Sequence, residues 1–458
     1  MRFARRIIIT ILAGLLLIVA ACWGYWTYRQ YRAGQTPVPR DATSLVRIHI
    51  DGIIRDIAWN ALSNGTSYPD TAVAHPAFRT KQLQKLQMPI PASVFLYQVD
   101  HPLRSEFPDV YFGSLAVDDS TGMAAWLRDN LAMDITIGTQ GTIASTSHAV
   151  AIIRPDRMLL ALSPTKLNAD RSALVDVLAN VLQEYGGAIA VSESHLGDIL
   201  HDNGQLAGRG AREFSIGFET GIITFSVPNA LASPLRQLEP TPHFSDSNAV
   251  SLWVQDSLTN FLSNKTIRIG SYTVQGDSLL RHYGGRMVLE WKSTTTQQDT
   301  VVNYDYDDNF ELMEMQEVIE KAVPEIYWSV QADTAFIGYL QHCGVMEPSG
   351  TAVAGGAFPL YKLGTSPLPT DYVQFHTATE ARELPPPADQ DRTALYLRVD
   401  FNRLQVPELP ERLVPFREAA NILELTGRPT STGSITIRGT LRMKNHLVHS
   451  LVQLLNLI

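Results

Sequence analysis

An uncharged apolar segment near the N-terminus constrains this chain more than any other feature. Residues 7–26 read IIITILAGLLLIVAACWGYW, a run of 20 residues without a charged side chain. A helix of that length is about 30 Å long, which matches the hydrocarbon thickness of a bilayer. The sequence therefore predicts a membrane anchor within residues 1–28, and a body that folds beside the membrane.

The charges that flank the segment predict its orientation. Arg2, Arg5 and Arg6 precede it, and the positive-inside tendency keeps such a short basic end in the cytoplasm. Aromatic residues within 23–28 follow it, which suits the opposite membrane interface. We therefore expect a single-pass protein of the cytoplasmic (inner) membrane with its C-terminal body in the periplasm, although the arginines at 29 and 32 reduce the charge asymmetry.

Two other interpretations fit the same segment. Val19-Ala20-Ala21-Cys22 resembles a bacterial lipobox, which makes Cys22 a candidate for lipidation. A cleaved secretory signal is the third interpretation, but the apolar run continues past the small residues where cleavage would occur. In all three cases the body leaves the cytoplasm.

The composition of the body excludes several classes of protein. Hydrophobic residues make up 45% of the chain and charged residues 18%, which is ordinary for a protein that buries a core. Cys343 is the only cysteine outside the apolar segment, so the body cannot form an internal disulfide. The net charge of −9 comes without a basic patch in the body, and we therefore expect no nucleic-acid partner.

The body divides into two parts of similar length. Residues 29–43 and 241–248 are rich in proline and polar residues, and we interpret them as a stalk and a linker. They delimit a first α+β module at 44–240 and a second at 249–458.

The same landmarks recur in both modules, in the same order. Residues 46–50 alternate as a strand does, and residues 250–254 do so 204 positions later. Further on, a strand meets paired aspartates at 118–119 and again at 307–308. These repeats predict an internal duplication. We expect each module to be a mostly antiparallel sheet with helices on one face.

Further strands and helices are predicted by periodicity. Apolar stripes at helical spacing occupy 174–182 and 312–322. Apolar segments at 230–238 and 446–455 follow hairpin-like strands, and we expect each to close its module as a helix. Strand-like residues at 189–191 and 395–399 form the last matched pair.

The short catalytic and metal motifs in the chain lack their partners. Residues 276–279, Gly-Asp-Ser-Leu, match the nucleophile motif of GDSL hydrolases, but no Asp-x-x-His follows. Residues 163–166 fit Ser-x-x-Lys without a later Lys-Thr-Gly. The acidic run 305–311 lacks the glycine that a calcium loop needs, and His446 and His449 have no acidic neighbour. We therefore predict no catalytic, cofactor-binding or metal-binding residues.

One degenerate tripeptide, Asp-(Ser/Thr)-apolar/Thr, occurs more often than ordinary residue usage predicts. It resembles the O-glycosylation acceptor that Bacteroidota use outside the cytoplasm. Its six candidate acceptor residues are Thr71, Ser120, Ser257, Ser278, Thr300 and Thr334.

The anchor, the duplicated α+β body and these tripeptides together resemble the single-pass, membrane-anchored envelope proteins of Bacteroidota. The resemblance is one of layout and carries no functional residues. It implies a non-enzymatic binding or scaffold protein of the bacterial cell envelope, with an envelope protein or the cell wall as partner and no cofactor. Two alternatives stay open: an envelope hydrolase whose site is assembled from residues distant in sequence, and an envelope assembly or chaperone-like factor.

Overall fold

The computed structural model describes most of the chain, which divides into two compact units. The first unit comprises residues 1–220 and 447–456, and the second comprises residues 221–446. The described residues are 2–68, 88–100, 109–167, 171–184, 186–211, 213–232, 238–256, 258–306, 312–369, 371–388, 392–404, 414–431 and 433–457; within the first helix the side chains of 2–15 and 18 are excluded.

The first unit contains eleven strands and five helices among its described residues. Up to residue 220 they are α1 (Arg2–Gly34), β1 (Pro37–Pro39), β2 (Ser44–Ile48), α2 (Ile50–Ser63), β3 (Val94–Gln98), β4 (Tyr111–Ala116), α3 (Ser120–Leu131), β5 (Asp134–Gly138), β6 (Gly141–Ser145), β7 (Ala149–Ile153), β8 (Arg157–Leu162), α4 (Arg171–Glu184), β9 (Ala188–Ala190), β10 (Leu206–Gly210) and β11 (Phe214–Glu219). Short 3-10 turns lie at Gly65–Ser67, Val191–Glu193 and Gly197–His201. The fifth helix comes from the end of the chain and is given below.

Nine of these strands form one antiparallel sheet in the order β11-β10-β2-β3-β4-β8-β7-β6-β5. Successive side chains of a strand point to opposite faces of a sheet. Accordingly, Ile152 packs in one core with Leu174 and Leu178 of α4, whereas Ile153 packs in another with Met123 of α3. Helices therefore cover both faces of this sheet, and the expectation of helices on one face does not hold for this unit.

Residues 29–43, for which the sequence predicts a stalk, belong to the folded unit. The first helix continues to Gly34, and Ala33 packs into the core. The next residues form β1, which pairs with β9, and Val38 is 0% exposed. The prolines of this stretch therefore end a helix and start an edge strand instead of loosening the chain.

The second unit contains eleven strands and four short helices among its described residues. They are β12 (Ile222–Ala232), β13 (Val250–Gln255), α5 (Thr259–Leu262), β14 (Thr266–Ile269), β15 (Tyr272–Gln275), α6 (Gly276–His282), β16 (Tyr283–Tyr306), β17 (Leu312–Ala332), α7 (Phe336–His342), β18 (Gly364–Leu368), β19 (Tyr372–His376), β20 (Leu395–Asp400), α8 (Val414–Ala419), β21 (Ala420–Pro429) and β22 (Ser434–Met443). The last helix of the chain, α9 (Ser450–Leu455), belongs to the first unit.

Nine strands of the second unit also form an antiparallel sheet, in the order β12-β22-β21-β20-β13-β16-β17-β19-β18. Strands β14 and β15 form a separate hairpin. A core of Val330, Phe375 and the α7 residues Phe336 and Leu340 lies against β17 and β19. Both units are therefore α+β with antiparallel sheets, as the sequence predicts.

The helix predicted over 312–322 is wrong, because these residues are part of β17. Leucine, methionine and glutamate favour a helix there. However, the segment pairs along its whole length with β16, from Thr296 opposite Ala322 to Tyr306 opposite Leu312. Its partner is rich in threonine and valine, which favour strands. Tertiary pairing has therefore overridden local propensity.

Three smaller predictions also need correction. Residues 230–232 of the predicted closing helix are the end of β12, and 233–237 lie outside the described residues. Residues 189–191 contribute only the short edge strand β9 and the start of a 3-10 turn. The helix predicted from 174–182 is confirmed as α4. Within 446–455 a helix is present as α9, but it covers only Ser450–Leu455 and belongs to the first unit, so it does not close the second module.

Residues 241–248, predicted as a linker, lie inside the second unit. Asn248 is 0% exposed, and its side-chain amide donates to Glu290 at 3.0 Å. The Thr241 and Thr393 hydroxyls are 2.8 Å apart. These buried polar contacts fix the segment against the sheet. Within the part of the chain that the structure describes, no helix is both long and apolar enough to cross a membrane.

Candidate functional site

A cavity of about 800 Å³ in the first unit lies beside the C-terminal end of α1. We call it the α1 cavity. Its walls are the last turns of α1, the segment 88–93 that leads into β3, the end of β4, and the turn that opens β8. The lining residues used below are Tyr25, Tyr28, Arg29, Arg32, Met88, Ile90, Ala92, Ser93, Phe95, Leu115, Asp156 and Arg157.

A buried ion pair fixes α1 to the wall of the cavity. Arg29 donates from Nε and Nη2 to the two carboxylate oxygens of Asp51, at 2.9 and 2.7 Å, and Nη2 also donates to the Ile90 carbonyl oxygen. Asp51 stands in the first turn of α2 and its side chain is 6% exposed. The hydrogen bonds to Asp51 are the main reason that the pKa of Arg29 lies above its ordinary value. The charge of Arg29 is therefore already compensated by the protein.

Two other arginines of the cavity are not compensated in this way. The Arg32 side chain donates a long hydrogen bond to the Tyr28 hydroxyl at 3.4 Å, and no carboxylate of the described residues lies within ion-pair distance of it. Arg157 pairs with its neighbour Asp156 at 2.9 Å, with both side chains exposed. That contact lowers the pKa of Asp156. An exposed pair of this kind is worth little and exchanges easily for a better anion.

The inner wall of the cavity is apolar. Phe95 is 2% exposed and Ala92 6% exposed, and Leu115, Met88 and Ile90 continue this surface toward solvent. Ser93 lies among them and is 4% exposed, yet its hydroxyl oxygen has no hydrogen-bond partner in the described structure. A buried hydroxyl without a partner is unusual and is costly to leave unsatisfied. The cavity therefore combines a cationic rim with an apolar wall.

Aromatic contacts tie the preceding turn of α1 to the start of α2. The rings of Trp26 and His49 meet edge to face with centroids 6.4 Å apart, and the Arg55 guanidinium lies 5.6 Å from the Trp26 ring. Burial first, and the charge of Arg47 second, lower the pKa of His49 to about 4. His49 is therefore a neutral partner of the tryptophan at neutral pH.

A second buried polar cluster holds the end of the chain on the first unit. The Asn60 side chain donates to the Thr220 hydroxyl at 2.8 Å and to the Leu447 carbonyl at 3.1 Å. Its oxygen accepts from the His449 backbone N–H at 2.9 Å and from the Tyr68 hydroxyl. Asn60 is 4% exposed and His449 1% exposed, so this cluster serves structure.

The candidate glycosylation sites stand in different environments. Thr300 on β16 and Thr334 in the turn before α7 are exposed. Ser120 and Ser278 are half-buried in the first turns of α3 and α6. Thr71 and Ser257 lie outside the described residues, and the acceptor assignments stay predictions. Cys22 is exposed on α1, and its lipidation also stays a prediction.

Residues of the two incomplete catalytic motifs, at 276–279 and 163–166, make ordinary local hydrogen bonds. Asp277, beside Ser278, accepts from the Ser263 hydroxyl and the Asn264 backbone N–H, both at 3.0 Å. Ser163 is 8% exposed and lies 3.2 Å from the Thr165 hydroxyl. Across the described ranges, no group of three or more His, Cys, Asp or Glu residues is arranged to hold a metal ion.

The residues of the α1 cavity were not identified from the sequence. Arg29 and Arg32 were interpreted only as charges that weaken the orientation signal, and Asp51 and Ser93 carried no motif. One usable signal is the recurrence of Tyr25, Tyr28, Arg29 and Arg32 at spacings of three and one residues on neighbouring turns at the end of the apolar segment. Residues one helical turn apart share a face, so this pattern predicts a polar stripe directed at the body.

Comparison with known proteins does not place the chain in a family. No known protein family and no curated protein matches it. Crystal forms III, I and IV of TP0453 align with it at TM-scores of 0.21, 0.21 and 0.20 and identities of 8, 8 and 9%. The alignments cover 74, 74 and 77% of this chain and 92, 92 and 94% of that one. At these TM-scores the likeness carries no argument about fold or function.

Proposed function

We propose that this protein is a non-enzymatic binding protein of the bacterial cell envelope, anchored in the inner membrane by α1, with its body in the periplasm and its ligand site in the α1 cavity. The observation that carries the proposal is the continuity of α1. One helix runs from the apolar segment 7–26 to the cavity wall at Arg29 and Arg32. The anchor and the site thus share one rigid element.

Exposed aromatic side chains support the anchor. Trp23 and Tyr25 of α1 are 74% and 62% exposed, which is a high exposure for rings of this size. Tryptophan and tyrosine are enriched at membrane interfaces, where one end of the ring is apolar and the other is wet. The ion pair between Arg29 and Asp51 then holds the body close to this interface.

We also propose that the two units arose by internal duplication, which the strand orders support. In the first sheet β2 lies between β3 and the late strand β10, and in the second sheet β13, which follows β12 in the chain, lies between β16 and the late strand β20. Beyond β3 the first sheet continues with β4 and then with β8 to β5 in reverse chain order. Beyond β16 the second sheet continues with β17 and then with β19 and β18.

Membrane extraction tests the anchor. A C-terminally tagged full chain should stay in the membrane fraction after an alkaline carbonate wash, and its tag should be digested by protease only once the outer membrane is opened. Leu16→Arg with Leu17→Arg should release the chain, because a charge at the bilayer centre costs about 2.5–3.5 kcal/mol per residue. Wild-type protein recovered in the carbonate supernatant would refute the anchor.

Site-specific photocrosslinking in cells tests the binding site. A photoreactive residue at Tyr28 should capture a defined envelope component, identified by mass spectrometry. The matched control is Ile137, on the same unit and 92% exposed, but outside the residues that line the cavity. Equal products from both positions would show that the α1 cavity is not the site.

A further inference from the structure

The size of the α1 cavity fits a small amphiphile. Ligand sites in proteins commonly measure about 300–1,000 Å³, and this cavity measures about 800 Å³. Phe95 and Ala92 at its base are already buried, and the apolar surface left accessible in its lining includes Ile90, Met88 and Leu115. Covering that accessible surface with hydrocarbon is what recovers free energy.

The charge of the cavity selects the sign of the ligand. Arg29 is neutralised by Asp51, whereas Arg32 has no ion-pair partner among the described residues. Arg157 is held only by an exposed contact with Asp156. A planar guanidinium binds phosphate or carboxylate oxygens with two parallel hydrogen bonds, so these two arginines suit an anionic head group.

The position of the cavity along α1 relates it to the proposed membrane interface. Ser93 also lines the cavity, but its hydroxyl oxygen is buried and does not face the ligand space. Tyr25 lies within the proposed anchor segment and also lines the cavity, so the opening is at the depth where lipid head groups lie.

From these features we propose that the α1 cavity binds an anionic amphiphile. Its acidic head lies against Arg32 and Arg157, and its hydrocarbon chain lies along Ile90, Met88 and Leu115. This inference rests on the proposed function for the site itself and names the class of its ligand. Two sources share this chemistry: an anionic phospholipid of the membrane and a free fatty acid.

Binding of defined lipids to the full chain tests the inference. The protein is purified in a zwitterionic detergent, and bound lipid is counted by native mass spectrometry after addition of phosphatidylglycerol, phosphatidylcholine or oleate. Phosphatidylglycerol should bind at least tenfold more tightly than phosphatidylcholine, whose head group is neutral overall. Oleate binding as tightly as phosphatidylglycerol would assign a fatty acid as the ligand, and weaker oleate binding would assign the phospholipid; both support an anionic amphiphile.

Variants with a matched control distinguish the contribution of the ligand's acidic head from that of its hydrocarbon chain. Arg32→Ala with Arg157→Ala should weaken phosphatidylglycerol binding tenfold or more. Arg128→Ala should leave it unchanged, because Arg128 forms the same kind of exposed pair with its neighbour Asp129, at 2.9 Å, away from the cavity. Ile90 is 40% exposed and tolerates a polar residue. Ile90→Asp should weaken the binding of phosphatidylglycerol and of oleate alike, because the new carboxylate removes apolar contact with the hydrocarbon chain and repels the acidic head.

Three outcomes would overturn the inference. They are equal affinity for phosphatidylglycerol and phosphatidylcholine, full displacement of the lipid by inorganic phosphate alone, and an unchanged affinity in the double arginine variant. The assay is done in detergent, so it does not depend on membrane insertion. Failure of the anchor in the carbonate wash and failure of the lipid assay are therefore separate results.

Discussion

Each unit contains a nine-stranded antiparallel sheet, but the two units differ in what surrounds that sheet. In the first unit, helices cover both faces, and α1 ends beside a cavity. In the second unit, β16 and β17 continue past their neighbours: β13 reaches only Trp291 on β16, and β19 reaches only Tyr327 on β17. We call residues 294–324 the arm; its described residues, 294–306 and 312–324, form the two-stranded extension.

The arm concentrates the charge of the protein. Its 31 residues include eight carboxylates and one lysine, a net charge of −7, whereas the whole chain has a net charge of −9. The base of the arm is tied down, since Gln297 donates to the carbonyls of Lys362 and Thr377, both at 2.7 Å. Two antiparallel sheets of equal strand number therefore differ in what lies beyond their shared type of pairing: a helix and a cavity in one unit, and a charged two-stranded extension in the other.

The largest expected effect tests the closure of the first unit by the end of the chain. Asn60→Ala removes the hydrogen bonds that its side chain makes to the Thr220 hydroxyl and the Leu447 carbonyl, and it leaves the His449 N–H with only its longer contact to the Tyr68 hydroxyl, at 3.4 Å. Unsatisfied buried groups cost about 1–3 kcal/mol each, partly relieved by water, so we expect a loss of about 3 kcal/mol. Urea unfolding measures it. Asn130→Ala, at an exposed residue, is the control and should lose less than about 0.5 kcal/mol.

The next effect compares one substitution in the covered sheet and in the arm. Val150 on β7 is 0% exposed, and Val302 on the arm is 41% exposed. Val150→Ala removes two buried methyl groups and should cost about 2 kcal/mol. Val302→Ala should cost less than about 0.5 kcal/mol. A similar loss at both positions, measured by thermal unfolding, would mean that the arm is covered in solution.

The next prediction concerns the pH dependence of the free energy of unfolding, which we expect to arise in the first unit. Burial lowers the pKa of His49 to about 4 and also lowers the pKa of His449. Above pH 6.5 each histidine is neutral in the folded and unfolded chain. As the pH falls from about 6.5 to about 4, the unfolded chain binds protons that the folded chain does not, and stability decreases. His49→Asn should flatten this slope in urea titrations; an unchanged slope would contradict the assignment to His49.

The sequence predicted the parts of the fold that local patterns control. Alternation at 46–48 and 250–254 gave β2 and β13, and the apolar stripe at 174–182 gave α4. Where long-range pairing decides, it failed: β17 has helix-forming residues but lies opposite a threonine-rich partner. The pairing of Arg29 with Asp51 joins residues 22 positions apart on two helices, and no periodicity reports such a contact.

A smaller effect tests whether the arm supports its own sheet. No third strand pairs with Thr300–Tyr306 or with residues 312–318 in the described structure. Replacing residues 300–318 by Asn-Gly, a favoured two-residue turn, should therefore change the free energy of unfolding by less than about 1 kcal/mol. The change in the free energy of unfolding is measured by circular dichroism melts. The same measurement on a chain with a shortened β14–β15 hairpin is the comparison. A loss above about 2 kcal/mol would show that the arm is part of the folded core.

The smallest effect on stability concerns the candidate glycosylation sites, which are exposed at two threonines and half-buried at two serines. Thr300 on the arm and Thr334 in the turn after β17 are exposed, so a transferase can reach both hydroxyls without unfolding the second unit. Ser120 and Ser278 are half-buried in the first turns of helices, where a sugar would disturb the packing. Thr300→Ala with Thr334→Ala should therefore remove added hexose from the intact mass while leaving the melting temperature unchanged. Ser120→Ala with Ser278→Ala should leave the mass of the glycan unchanged. Loss of hexose from the serine pair instead would mean that modification precedes folding, because only the unfolded chain exposes those two side chains fully.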